Sequence, residues 1–180
     1  KVPSGYHNAE SLRDSIRIFL QKKYADSLLL SLSNFQVFLN LKLISSLKLD
    51  QNQIERDLVG IIERFPGVAC AYRSVIFRES EFLTFPRYPM ANGYHMKRSG
   101  EILYNLEPGW MEYANAGTTH GSPWPYDTHV PLFFFWKGIP KGVNAGKVEI
   151  TDIVPTLCLL LKVNYPNGCT GKPIKELIKK

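Results

Sequence analysis

The chain has 180 residues, 44% apolar and 21% charged, which is enough to bury a sizeable core and is the composition of an ordinary globular protein. Its net charge of +6 comes from dispersed basic residues, dense only in Lys172–Lys180, so nothing resembles the interleaved basic and aromatic platform that tracks nucleic acid. No apolar run approaches the roughly 18–20 residues of a membrane-spanning helix, and Lys1-Val2-Pro3-Ser4-Gly5 carries no apolar signal-peptide core. An opening on a Pro-Gly turn rather than a methionine suggests a processed or excised piece.

Residues 1–8 read as an opening turn. Leu12, Ile16, Phe19 and Leu20 recur at i, i+4, i+7 and i+8, one face of a helix from about Ala9 to Lys23. Leu28–Leu32 and Phe35–Leu39 are short apolar runs separated by Ser33-Asn34, a hairpin signal. Asp50, with Gln53 three residues on, predicts a capping box for a helix that buries Ile54, Leu58, Ile61 or Ile62, and Phe65. Pro66-Gly67 stops it, and Val68–Phe77 reads as a strand. Helix, hairpin, helix, strand over 9–77 predicts a small α+β lobe with its helices on one face of an antiparallel sheet, a packing lobe with no catalytic role.

Residues 78–100, rich in Pro, Gly and aromatics, form a linker loop before a second domain, 101–180. That domain opens on a short strand, Glu101–Leu106. The loop 107–130 exceeds the roughly 12–15 residues beyond which unstructured loops are usually functional or disordered, and Trp110, Tyr113, Trp124 and Tyr126 argue against disorder. Leu132–Trp136 is a continuous apolar run, as expected of a strand buried on both faces. The last long helix opens near Thr151-Asp152, with Asp152 as N-cap and Pro155 in the first turn, and runs to about Lys162. A turn-rich tail, Tyr165–Pro173, leads to a short terminal helix. Cys70, Cys158 and Cys169 lack zinc-like spacing; Cys158 and Cys70 read as small core residues, and Cys169 is open to pairing in an oxidising compartment.

The polar chemistry concentrates in Gly117–Leu132, which holds two histidines, an aspartate and several hydroxyls. Glycines at 117 and 121 let the backbone turn tightly enough to aim His120 at a ligand, and neutral imidazole is a common nitrogen donor to zinc. Asp127 can orient a histidine or cap the turn before Thr128, and His129 anchors the loop by hydrogen bonding. Ser122, Thr118 and Thr119 have no adjacent base and suit turn chemistry rather than nucleophilic attack. His7 and His95 read as surface or packing residues.

Gly117-Thr118-Thr119-His120-Gly121-Ser122 and Tyr126-Asp127-Thr128-His129-Val130-Pro131-Leu132 resemble the C-terminal signature of bacterial zinc-dependent alkaline phosphatases, of the type I phosphodiesterase/nucleotide pyrophosphatase branch. Lys1–Tyr6, Arg98–Leu103 with Leu106–Trp110, Ile150–Leu157 and Gly168–Ile174 resemble further segments of that family in the same order. The resemblance implies an α/β fold: part of an alkaline-phosphatase-like sandwich, a mixed sheet flanked by helices, with 101–180 as the C-terminal part of the catalytic domain and 107–130 as its metal-ligand loop. It implies a periplasmic or secreted phosphate-ester hydrolase with two zinc ions, acting on small-molecule phosphate esters through a Thr or Ser phospho-enzyme. His120 is the one metal ligand that carries over. No catalytic residue does, so the nucleophile and the other donors are expected in a missing N-terminal part of the protein, leaving this chain alone inactive. A phosphodiesterase or sulfatase-like hydrolase of the same superfamily, and a non-catalytic binding domain, remain the alternatives.

Overall fold

After a two-residue strand β1 (Gly5–Tyr6), the 3.6-residue apolar period becomes helix α1 (Ala9–Lys23) in the computed structural model, which describes residues 4–112 and 120–178. Asn8 caps α1 by accepting the Ser11 amide at 2.9 Å, and Leu12, Ile16 and Leu20 are the buried stripe. The hairpin follows as β2 (Leu29–Ser33) and β3 (Gln36–Leu39), then a short helix α2 (Leu41–Ser46) that the sequence reading lacked. Asp50 caps helix α3 (Gln51–Ile62) through the Gln53 amide at 3.1 Å. The capping box is not completed: the Gln53 carboxamide turns to the Asp57 carboxylate at 3.0 Å instead.

Strand β4 covers Val68–Arg73, shorter than expected because Ser74 turns the chain into a one-turn helix α4 (Ile76–Glu79). The segment read as linker contains helix α5 (Arg87–Gly93), and β5 follows at Ile102–Leu106. Beyond it lie β6 (Trp110–Met111) and a single turn α6 (Pro125–Thr128). The chain divides into two compact units, Lys1–Val130 and Pro131–Lys180.

In the first unit four strands form one antiparallel sheet in the order β2-β3-β5-β4, while β1 and β6 pair in parallel. Ile102–Leu106, grouped in the sequence reading with the segment that follows it, therefore lies inside the same sheet as the hairpin. All five of its residues are buried. Alternation explains why. Ile102, Tyr104 and Leu106 join the core beneath α1 and α3, with Leu12, Ile16, Ile54, Leu58 and Ile62. Leu103 and Asn105 are on the other face, where the Asn105 amide approaches Met90 of α5 at 2.8 Å. Each buried Leu or Ile contributes about 1.5–3 kcal/mol. Exposed pairs such as Arg17–Asp14 add far less, so the apolar stripes decide the fold.

The start of β5 is fixed by backbone contact. Glu101 N–H donates to the Val37 carbonyl at 2.9 Å, and the Glu101 carboxylate accepts the Leu39 amide at 2.7 Å. Burial pushes this carboxyl above its ordinary pKa, against the opposing effect of the Leu39 N–H. Gly100 must be glycine here, because a Cβ would run into the Val37 carbonyl. Arg73 ties β4 to α3 by donating to Glu55 at 2.9 Å.

The second unit starts irregularly. Leu132–Trp136, expected as a buried strand, has no strand pairing, and Phe133 and Phe135 are 85% and 104% exposed. The expectation of a buried strand is not met: apolar composition alone does not make a strand, which needs a ladder partner, and none of the described residues supplies one. A 3₁₀ turn (Ile150–Asp152) leads into helix α7 (Ile153–Leu161), which ends with Lys162 in the left-handed conformation. Asp152 immediately precedes α7, but its side chain makes no cap hydrogen bond to that helix; instead its carboxylate accepts the Glu149 amide at 3.0 Å and the Lys172 amide at 2.7 Å. Thr156 is fully buried, donating to the Asp152 carbonyl at 2.6 Å and accepting the Ile174 amide at 2.9 Å. The tail 171–174 is thereby fastened to the start of α7. The terminal helix is a 3₁₀ turn, Lys175–Leu177, and none of the three cysteines is paired.

His7 is a buried packing residue, with its ring edge-on to Phe65 and its Nε2 3.5 Å from the Tyr104 hydroxyl. Its Nδ1 has no hydrogen-bond partner among the described residues. Burial lowers the His7 pKa, opposed by the nearby Pro66 carbonyl and Glu112. A folded pKa below the unfolded value means that the unfolded chain takes up the proton first. Stability from the neutral ring is therefore complete above about pH 6.5 and is lost as the pH falls from there. Urea midpoints are expected to drop between about pH 7.5 and 5.5, with a smaller drop in His7→Leu; an identical drop in that variant would contradict the assignment.

Candidate active site

The polar loop meets the sheet where β5 ends. Glu107 N–H donates to the Gly67 carbonyl at 2.8 Å, which turns the chain toward β6. Trp110 then lies over Gly5 and Gly67, where any Cβ would collide with the indole, so both glycines are needed for its close approach. Gly117, Thr118 and Thr119 lie outside the described residues.

From His120 onward the loop is held by three kinds of contact. Gly121 has φ +109°, a backbone conformation that supports the expected need for glycine beside His120. Asp127 closes the turn: one carboxylate oxygen accepts both the Ser122 amide at 3.1 Å and the Ser122 hydroxyl at 2.5 Å. These charge-assisted bonds place Ser122 in turn chemistry. Trp124 fastens the loop to the sheet, its indole N–H donating to the carbonyl of Leu106, the last residue of β5, at 2.8 Å. Its ring also meets Phe85 at 4.9 Å between centroids. Tyr126 adds a third tie, its hydroxyl accepting the Gly109 amide at 3.3 Å.

His129 follows α6. Its backbone amide donates to the Pro125 carbonyl at 2.8 Å, and its ring is exposed and makes no hydrogen bond among the described residues. His95 lies elsewhere, its Nδ1 accepting the Lys97 amide at 3.2 Å. The roles of Trp124 and Tyr126 were not legible in the sequence, where both counted only as aromatics opposing disorder.

The loop borders a cavity of about 250 Å³ lined by residues that include His120, Ser122, Tyr126, Asp127, Trp110 and Phe35. An imidazole and a carboxylate in one wall are donor types that zinc accepts. Structural and catalytic zinc sites need three or four such donors, and no group of three His, Cys, Asp or Glu is placed to hold a metal among the described residues. The described residues thus fit one position in a metal's coordination sphere and do not make a site by themselves.

Comparison with known proteins places this loop in context. A Myroides odoratus protein named calcium-transporting ATPase is 34% identical over 99% of this chain and 33% of its own length. Alkaline phosphatase PafA of Elizabethkingia meningoseptica is 32% identical over 99% of the chain and 33% of its length. Alkaline phosphatase PhoV of Synechococcus elongatus is 31% identical over 81% and 26% respectively. The crystal structure of wild-type PafA superposes with a TM-score of 0.86 at 31% identity, covering 98% of this chain and 34% of that one. The chain is homologous to part of the bacterial alkaline phosphatases. It spans about a third of the length of these relatives, matching their C-terminal part, and shares the α/β fold of PafA over that region. No protein-family model matches it.

Asp127→Ala removes both bonds to Ser122 while leaving the sheet untouched. Chymotryptic cleavage within 120–128 is expected to accelerate on the order of tenfold, since a lost charge-assisted bond costs about 1.5–3 kcal/mol. Unchanged cleavage, read by fragment mass, would show that Asp127 does not hold the loop.

Proposed function

We propose that this chain supplies His120 as one metal ligand of a zinc-dependent phosphomonoester hydrolase. The observation that carries this reading is the position of His120: it lies in a cavity wall, on a loop tied to the end of β5, within a fold shared with PafA. The relatives named alkaline phosphatases support phosphate esters of small molecules as substrates. A periplasmic or secreted location belongs to the same proposal and rests on the sequence resemblance alone.

In this reading a Thr or Ser nucleophile, the other metal donors and the groups that grip phosphate lie in polypeptide beyond residues 1–180, and this chain alone is inactive. A pair of zinc ions, when bound, activates the attacking oxygen and stabilises the leaving one. The chain's own contribution is positional. Asp127 and Trp124 hold the His120 loop, and Trp110 and Phe35 form part of the cavity wall beside it. Asp127 acts as a loop anchor rather than as a group that touches substrate, whereas the exposed His129 ring does not make the anchoring hydrogen bond expected of it among the described residues.

The test is made on the complete gene product. In His120→Ala, bound zinc measured by mass spectrometry should fall from about two to about one per molecule, and p-nitrophenyl phosphate hydrolysis should fall by about 100-fold or more. Unaltered zinc content in this variant would remove His120 from the metal site.

A further inference from the structure

We propose that Phe85 is a positioning residue for His120: the connection between β4 and β5, through the ring of Phe85, fixes the orientation in which Trp124 holds the loop. This inference rests on the metal-ligand reading above and adds to it a residue that lies outside the loop and far from it in sequence.

One bond leaves a freedom. The Trp124 indole is tied to the sheet through its N–H, which donates to the Leu106 carbonyl at 2.8 Å. A carbonyl accepts over a broad range of directions, so this bond fixes one atom and lets the indole plane turn about it. Pro123 and Pro125 flank Trp124 and restrict its backbone, so the ring and the chain around it change direction together.

Phe85 supplies the second contact. Its ring meets the indole at 4.9 Å between centroids and 45° between planes, a separation at which aromatic pairs attract. Phe85 is 41% exposed and fills no core position; among the described residues its aromatic partner is Trp124.

Phe85 is itself held by the sheet. Phe82 and Arg87, on either side of it in the chain, are locked together: the Arg87 guanidinium lies 5.0 Å from the Phe82 ring and 5.9 Å from the ring of Tyr72 in β4. Phe82 also meets Phe77 of α4 edge-on at 5.5 Å, and Phe77 meets Tyr72 edge-on at 6.2 Å. Tyr72 lies opposite Leu103 in the β4–β5 ladder. Both contacts of the indole, the Leu106 carbonyl and the Phe85 ring, thus trace back to β5, and two points referred to one strand set the plane of the ring. The segment read from sequence as a linker acts on the His120 loop through this contact.

The experiment uses the complete gene product carrying Phe85→Ala, Phe85→Tyr, which keeps the ring, or Leu83→Ala, a neighbour that is 87% exposed. Two quantities are read: amide exchange of residues 121–129, and the rate at which bound zinc passes to a chelator. In Phe85→Ala both are expected to rise about 3- to 10-fold, with β5 amides unchanged and p-nitrophenyl phosphate hydrolysis restored by added zinc. Phe85→Tyr and Leu83→Ala should match the unmodified protein; a general loss of stability would show neither rescue by the ring nor rescue by zinc. Unchanged loop exchange in Phe85→Ala, unchanged zinc release from the zinc-loaded variant, or an equal rise in Leu83→Ala would overturn the assignment of Phe85. A complete gene product that binds no zinc would overturn the metal-ligand reading instead, and loop exchange in Phe85→Ala would still decide whether Phe85 positions the loop.

Discussion

The carbonyl of Leu106, at the end of β5, is the point on which the site depends. β5 is paired on one side by β3 and on the other by β4, and it is buried along its whole length. A strand so enclosed cannot shift register without exposing Ile102, Tyr104 and Leu106 and burying their neighbours in the wrong layer. Its last carbonyl is therefore a fixed acceptor, and the Trp124 indole takes that acceptor. The polar loop inherits its position from the sheet through this one bond, and Asp127 and Tyr126 refine it.

This arrangement assigns a role to the small lobe. Helices α1 and α3 cover one face of the sheet and α5 approaches the other, so the lobe fixes β5 and, through it, the His120 loop. Residues of the lobe also reach the cavity. Phe35 comes from the turn between β2 and β3, and Trp110 is seated on Gly5 and on Gly67, the glycine that precedes β4. A lobe read from sequence as packing alone thus forms part of the wall of the candidate site. Its energetics still follow mainly from apolar burial, with Arg17–Asp14 exposed and only Lys23–Asp57 and Arg73–Glu55 holding a shielded carboxylate.

Local signals were legible where a short-range rule governs. The stripe in α1, the Asp50 cap, the hairpin (its turn at Asn34-Phe35, one residue beyond the expected Ser33-Asn34) and the strand before Glu107 each depend on residues within a few positions of one another. The α5 turn and the place of β5 were not legible, since both depend on packing between segments distant in sequence. Leu132–Trp136 shows the converse. Its composition suits an enclosed strand, yet strand structure is a property of a pair, and the described residues provide no second member. Within the site, His120 and Asp127 stood out because glycines and a short spacing frame them. Trp124 and Tyr126 did not, since an indole bonded to a carbonyl 18 positions away leaves no local pattern.

The most direct test of this account is amide hydrogen exchange in Trp124→Phe, which keeps a ring against Phe85 and deletes the bond to Leu106. Loss of that bond is expected to weaken the loop by about 1–3 kcal/mol, so amides of residues 121–129 should exchange roughly 5- to 150-fold faster while those of β5 keep their protection. Unchanged exchange in the loop, or loss of protection in loop and sheet together, would contradict the claim that the indole bond to the end of β5 sets the position of His120.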